Sequence, residues 1–140
     1  MLAVIGMVMT FDALTILLER DIVPEFMVQV YTTVEYPALI WVAAVLMAPL
    51  LEEMLVRGFL FAGWSRSRLG VKGTILLTSL GWAVVHLQYD FYGCLIIFVH
   101  GILLGIARHR TGSIWVPFLM HAVMNVIATL EVAYLTADPD

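Results

Sequence analysis

Long apolar runs separated by short polar stretches form the main pattern of this chain. The runs cover residues 1–18, 37–64, 73–88, 92–107 and 114–135. Most of them approach the ~20 apolar residues that a helix needs to cross the ~30 Å hydrocarbon core of a bilayer. The pattern therefore predicts an all-α fold, a polytopic transmembrane helix bundle of about four to five spans joined by short loops.

The polar stretches between these runs predict the loops and the orientation. Residues 19–36 are mixed and acidic, which indicates a loop with a short interfacial helix that starts near Pro24. The basic stretches 65–72 and 108–112 fall on one side when successive loops alternate. The acidic stretch, the turn at 88–92 and the acidic C-terminus fall on the other side. Because cytoplasmic loops are enriched in Lys and Arg, we expect the N-terminus inside and the C-terminus outside.

Composition supports a membrane protein and excludes other classes. Of the 140 residues, 62% are hydrophobic and 13% are charged, about half the charge content of an ordinary soluble domain. We therefore expect one integral membrane domain, residues 1–140. The net charge of -4 and the absence of a basic run argue against binding to nucleic acid. The single cysteine, Cys94, excludes an internal disulfide and a multi-cysteine metal site.

Three ionisable residues, Glu52, Glu53 and Arg57, interrupt one of the most apolar runs. A charge at the centre of a membrane helix costs about 2.5–3.5 kcal/mol on an insertion scale, so this cluster should be paired or face a polar cavity. Glu53 and Arg57 are four residues apart and share a helix face, which predicts an ion pair. Glu52 is rotated by about 100° from Glu53 and is left as a candidate general base. The alternative is a buried ion network that only locks helices together.

Two further polar pairs lie in other runs. Trp82 and His86 are four residues apart in the third run, and His121 and Asn125 repeat this spacing in the fifth. At a rise of about 1.5 Å per residue, Glu52, His86 and His121 lie roughly 12–20 Å from the cytoplasmic ends of their helices. Polar groups from three spans at one depth predict a central polar cavity. The Asn125 amide and a histidine N–H are donors that suit an oxyanion on a peptide carbonyl.

The remaining two histidines have simpler interpretations. His100 lies deep in the fourth run beside Gly101 and Gly105, whose spacing favours close helix packing. We interpret His100 as a packing residue or as a support behind the site. His109 lies in a basic loop and is expected to be solvated.

In this order, these residues resemble the intramembrane glutamic endopeptidases of the CPBP or Abi family. Relatives in that family are the type II CAAX prenyl proteases and bacteriocin-processing or self-immunity proteins. The resemblance rests on Glu-Glu-x-x-x-Arg at Glu52, an aromatic residue four before histidine at Trp82, and RTGS followed by His-x-x-x-Asn at His121. It covers about half of the chain, from Glu52 to Asn125, and implies a family-like catalytic core at 37–135.

The resemblance implies a role for each of these residues. Glu52 would activate the attacking water with the assistance of His86. His121 and Asn125 would form the oxyanion hole, and the predicted ion pair would hold the site together. The substrate would be a peptide or protein, lipidated or embedded in the bilayer, with no cofactor and no metal. The protein would reside in the plasma membrane of a prokaryote.

Two features depart from the family pattern. The family usually has Phe where this chain has Trp82, and because both are aromatic we expect only a small effect on shape. The chain is also shorter than typical members, which have more spans before the first motif. Either it is a minimal member, or further spans precede it in a longer protein.

Two other functions stay open. A zinc-dependent intramembrane protease would use Glu52, His86 and His121, a ligand set found in catalytic zinc sites, although the chain has no HExxH motif. A non-catalytic immunity or scaffold protein, or a small transporter subunit, would use the same buried charges for packing or for a proton path.

Overall fold

The predicted runs form helices in the computed structural model, which describes residues 1–137. The acidic end of the chain, residues 138–140, on which part of the predicted orientation rests, lies outside the described residues. Within residues 1–137 every regular element is helical, which confirms the all-α prediction. The helices are α1 (Leu2–Leu17), α2 (Glu25–Thr33), α3 (Pro37–Trp64), α4 (Gly70–Val84), α5 (Phe91–Thr111) and α6 (Trp115–Ala137).

Three of these helices, α3, α5 and α6, are long and apolar enough to cross a membrane. They have 28, 21 and 23 residues. At about 1.5 Å per residue, each reaches about 30 Å or more. The helices α1 and α4 have 16 and 15 residues and reach only about 24 Å. The described part of the chain is therefore all-helical, with three helices of membrane-spanning length.

Large apolar side chains cover the outer surface of α3. Leu51, Leu55 and Phe59 are all more than half exposed. A contiguous apolar surface of this kind is unfavourable in water and suits contact with lipid tails. Glu53 and Arg57, on the same helix, are buried. The helix therefore keeps these two charges away from the surface that suits lipid.

Two wider, π-helical stretches, Val42–Met47 and Met54–Leu60, interrupt the α-helical geometry of α3. The residues between them, Ala48–Glu53, are α-helical and carry both glutamates at their C-terminal end. Pro49 has no N–H and cannot bond to the carbonyl of Val45, so the regular α-helical bonding cannot continue through this point. Because π-helical stretches often lie at functional sites, their position beside the glutamates makes this part of α3 a candidate functional region.

The helices α4 and α5 pack closely and run antiparallel. A Cβ built on Gly101 would lie 3.0 Å from the Cβ of Ser79, and one built on Gly105 would lie 3.0 Å from Cγ2 of Ile75. From Gly101 to Gly105 the chain moves forward along α5, while the contacted residue moves back along α4 from Ser79 to Ile75. This order is the one expected of antiparallel helices. The close packing predicted at the two glycines is therefore confirmed.

The end of α4 differs from the prediction. The helix ends at Val84, so His86 lies just beyond it rather than inside the predicted run 73–88. The cause is local, because His86 Nδ1 lies 2.7 Å from the carbonyl oxygen of Trp82. The last carbonyls of a helix lack partners within it, and the imidazole supplies one of them.

The end of α5 also differs. The helix continues to Thr111, so His109 lies in its last turn rather than in a loop, and its side chain is exposed as expected. Basic residues are favourable at a helix C-terminus because they complement its dipole. Gly112, with a φ of 67°, ends the helix in the left-handed conformation that glycine adopts without strain.

The described chain divides into two compact units, which we name the 50–121 unit and the terminal unit. The 50–121 unit runs from Leu50 to His121, and its buried apolar side chains are Val56, Phe61, Trp82, Ala83, Ile97, Leu104 and Met120. The terminal unit comprises Met1–Pro49 and the segment from Ala122 onward, with Val4, Met7, Val23, Ala122 and Val132 buried. A single domain over residues 1–140 stays a prediction.

Candidate active site

A buried ion pair forms the base of the candidate site. Arg57 Nη1 donates to Glu53 Oε1 at 2.8 Å, and both side chains are only 1% exposed. Arg57 Nη2 donates to the carbonyl of Gly101 at 3.0 Å, and Arg108 Nε donates to the carbonyl of Arg57 at 2.9 Å. The ion pair predicted from the four-residue spacing is therefore present, and its hydrogen bonds tie α3 to α5.

His121 links this ion pair to the second glutamate. Its Nδ1 lies 3.1 Å from Glu53 Oε1, and its Nε2 lies 4.0 Å from Glu52 Oε2. A carboxylate oxygen only accepts hydrogen bonds, so Nδ1 carries a proton and donates to Glu53. The atom that faces Glu52 is then Nε2, which donates only when the ring carries both protons.

Glu52 is the accessible carboxylate of the two. Its side chain is 31% exposed, compared with 1% for Glu53. The indole Nε1 of Trp82 donates a hydrogen bond to Glu52 Oε2. One glutamate is therefore enclosed and ion-paired, whereas the other keeps an exposed surface.

His86 approaches from the turn after α4. Its Nδ1 donates to the carbonyl oxygen of Trp82, because a carbonyl can only accept. In the neutral ring Nε2 is then an acceptor, free to take a hydrogen bond from water. The His86 ring packs edge-on against the indole of Trp82, with centroids 5.2 Å apart. Both the position and the tautomer of His86 therefore depend on Trp82.

Asn125 belongs to the terminal unit, unlike the other predicted site residues. Its Nδ2 donates to the carbonyl oxygen of Ala44 at 2.7 Å, within the π-helical stretch Val42–Met47. Its backbone carbonyl accepts from Thr129 Oγ1 at 2.7 Å. The side-chain amide has a second N–H that this contact does not use, and a role in oxyanion binding stays a prediction.

His100 lies against the site more closely than its sequence context indicated. It is 1% exposed, and its ring centroid lies 5.9 Å from that of Trp82 and 5.6 Å from that of His121. Neither ring nitrogen has a hydrogen-bond partner among the described residues. An unpaired buried polar group costs about 1–3 kcal/mol. The one signal in the sequence was the neighbouring Gly101, where α4 and α5 approach each other.

Tyr89 is a second neighbour that the motifs did not indicate. Its ring centroid lies 6.1 Å from that of His86, in the turn between α4 and α5. Burial raises the pKa of the Tyr89 phenol, and the charge of Glu52 raises it further. The phenol is therefore a neutral group close to the accessible carboxylate.

No group of three or more His, Cys, Asp or Glu side chains in residues 1–137 is arranged to hold a metal ion. A catalytic zinc would need Glu52, His86 and His121 to converge on one point at about 2.0–2.2 Å. Because the hydrogen bonds of both His86 and His121 use Nδ1, each ring would have to bind zinc through Nε2.

Comparison with known proteins identifies a family. The model of the family described as type II CAAX prenyl endopeptidase Rce1-like matches residues 34–127. The match begins just before α3 and includes every residue of the predicted site, from Glu52 to Asn125. No curated protein and no solved structure matches the chain.

Proposed function

Because the chain belongs to the type II CAAX prenyl endopeptidase Rce1-like family, we propose that it is an intramembrane endopeptidase in which Glu52 activates the attacking water. The family match confirms the resemblance drawn from the three motifs, and the family is one of proteases. Three apolar helices of membrane-spanning length agree with an integral membrane protein. The glutamic mechanism and the roles of individual residues are the proposal.

The unequal surroundings of the two adjacent glutamates carry this proposal. Glu53 is enclosed and neutralised by Arg57, so its charge has a structural explanation. Within residues 1–137, the one basic group recorded at ion-pair distance from Glu52 is His121, whose Nε2 lies 4.0 Å away, and the Glu52 side chain is 31% exposed. A carboxylate that is reachable by water and still free to accept a proton is the requirement for a general base.

In the proposed reaction Glu52 takes a proton from water, and the hydroxide attacks the carbonyl carbon of the scissile peptide bond. His86 Nε2 accepts the second hydrogen bond of that water and orients it. When the tetrahedral intermediate collapses, the C–N bond breaks and the proton held by Glu52 passes to the leaving amine. General base catalysis of this kind contributes about 10²–10⁴-fold to the rate.

His121 is proposed to stabilise the oxyanion of the intermediate. Its Nε2 is the nitrogen not used by Glu53, and a doubly protonated ring would donate from it. The family resemblance adds Asn125, one helical turn further along α6, as a second donor. Removing one such donor typically lowers kcat by about 10²–10³-fold.

The proposed substrate is a peptide or protein held at the membrane, and a prenylated C-terminus is the first candidate because of the family's description. We propose that the reaction takes place in a polar cavity around Glu52. The shorter helices α1 and α4 would be further spans. Exclusion of bulk water there would strengthen each interaction with the developing charges.

Cleavage without zinc is the expected behaviour of the purified protein. In liposomes it should cleave a farnesylated peptide that ends in a CAAX motif, because the proposed base is a carboxylate rather than a metal-bound hydroxide. The measurement is the initial rate after incubation with a zinc-chelating phenanthroline, with its non-chelating isomer as the control. Full inhibition by the chelator alone, reversed by added zinc, would show that zinc rather than Glu52 activates the water.

The proposed orientation places the loop after α3 in the cytoplasm, because Arg66, Arg68 and Lys72 lie in or near it. A Cys94→Ser background would carry one new cysteine at an exposed loop position, either Ser67→Cys or Gln88→Cys. In intact cells an impermeant maleimide is expected to label the second variant and to reach the first only after permeabilisation. The reverse pattern would invert the orientation.

A further inference from the structure

Trp82 contacts the ionisable residues of the candidate site on several sides. Arg57 Cζ lies 5.1 Å from its ring centroid. The rings of His86, His100 and His121 lie at centroid distances of 5.2, 5.9 and 5.0 Å. The side chain is only 7% exposed. Because side chains in a packed interior cannot turn without displacing their neighbours, the direction of the indole N–H is fixed.

The guanidinium on the face of the indole is itself held by hydrogen bonds on two sides. Arg57 is held by the carboxylate of Glu53 and by the carbonyl of Gly101. A cation over the face of a tryptophan is attracted by the negative charge of the ring face. The indole plane therefore rests on a buried group that is hydrogen-bonded through both terminal nitrogens.

The fixed N–H donates to the proposed base. Nε1 of Trp82 bonds to Glu52 Oε2. An indole has one donor and no acceptor, so the direction of this hydrogen bond is unambiguous. The bond restrains one oxygen of Glu52. The other oxygen, Oε1, takes no part in this bond, and the side chain that carries it is 31% exposed.

A phenylalanine at this position would offer a similar ring but no N–H. The expectation that Trp82 differs from Phe only in shape therefore misses a polar contact. Glu52 is partly exposed, and without this bond its side chain would regain rotational freedom. A general base is effective only when it is held within hydrogen-bond reach of the proton that it removes.

We propose that Trp82 is a positioning residue, whose indole N–H holds Glu52 Oε2 so that Oε1 faces the attacking water. Trp82 touches no reacting atom and acts through Glu52. The kinetic consequence rests on the proposed function, whereas the hydrogen bond exists independently of any activity. One experiment therefore tests the hydrogen bond, and a second experiment tests its effect on catalysis.

The hydrogen bond is tested by nuclear magnetic resonance of the full chain with isotope-labelled tryptophan. The chain has four tryptophans, and Trp82→Phe identifies the resonance by its loss. The Trp82 indole proton is expected to resonate downfield and to exchange slowly with water, because its acceptor is charged. Glu52→Ala should move it upfield, and Glu52→Gln should move it in the same direction by less. A resonance that neither variant moves overturns the proposal, whatever the activity of the protein.

The positioning role is tested by kinetics. Trp82→Phe is expected to lower kcat by about 10- to 100-fold with KM unchanged, which corresponds to the loss of a hydrogen bond to a charged group. The matched control is Trp115→Phe, the same change at an exposed tryptophan, and it should leave both constants unchanged. Equal kinetics for the two variants, or a rise in KM alone, contradicts the positioning role. If the native protein cleaves no peptide, the proposed function fails, and the indole resonance still decides the hydrogen bond.

Discussion

Replacing Glu52 by glutamine is expected to abolish peptide cleavage and to leave the protein folded. Glutamine has nearly the same shape, and its carbonyl oxygen still accepts the N–H of Trp82, but it cannot take a proton from water. The expected loss in kcat is at least about 10²–10⁴-fold, the usual contribution of a general base. The measurement is the initial rate of cleavage in liposomes that contain equal amounts of native and variant protein.

The fold of Glu52→Gln should be preserved for a reason visible in the site. Arg57 is paired with Glu53, so removing the charge of Glu52 leaves no buried cation without its partner. Circular dichroism and the midpoint of thermal unfolding are the controls, and both should match the native protein. A variant that cleaves at the native rate would show that another group activates the water.

Replacing Glu53 by glutamine is expected to have the opposite effect, mainly on stability. The guanidinium of Arg57 is buried, and it would lose the carboxylate 2.8 Å away. His121 Nδ1 would lose a charged acceptor at the same time. Breaking a buried ion pair by removing one partner typically costs about 3–5 kcal/mol. The measurement is the free energy of unfolding in mixed micelles.

A double variant separates the ion pair from a general loss of packing. Glu53→Leu and Arg57→Leu, made together, leave no unpaired charge in the interior. Because replacing a buried pair by apolar residues is often near neutral, the double variant should be more stable than either single variant. Additive losses would show that the two charges do not stabilise each other.

Local regularities made much of the fold and part of the site predictable. The apolar run that begins at Pro37 predicted the whole of α3, because a proline is favourable in the first turn and the run is long enough to span a membrane. The pair of Glu53 and Arg57 followed from helical periodicity alone. The close approach of α4 and α5 followed from Gly101 and Gly105.

Two kinds of contact were not predictable from the sequence. One kind joins residues that are distant in the chain, and the other joins a side chain to a backbone carbonyl. The bond between Trp82 and Glu52 spans 30 positions, and no local pattern indicates it. The end of α4 depends on the imidazole of His86, which bonds to a carbonyl that apolar periodicity does not reveal. Asn125 was singled out by its spacing from His121 and its amide donor, and the structure adds a bond to Ala44 that this spacing does not contain.

A crossed comparison of two variants shows whether the two adjacent glutamates have different functions. Cleavage rate and unfolding midpoint are measured for Glu52→Gln and Glu53→Gln in the same preparation. The first variant is expected to lose cleavage at a native midpoint, whereas the second is expected to lose stability and to keep measurable cleavage at temperatures where it is folded. Equal losses of stability in the two variants, with cleavage intact in both while they are folded, would instead indicate a purely structural network.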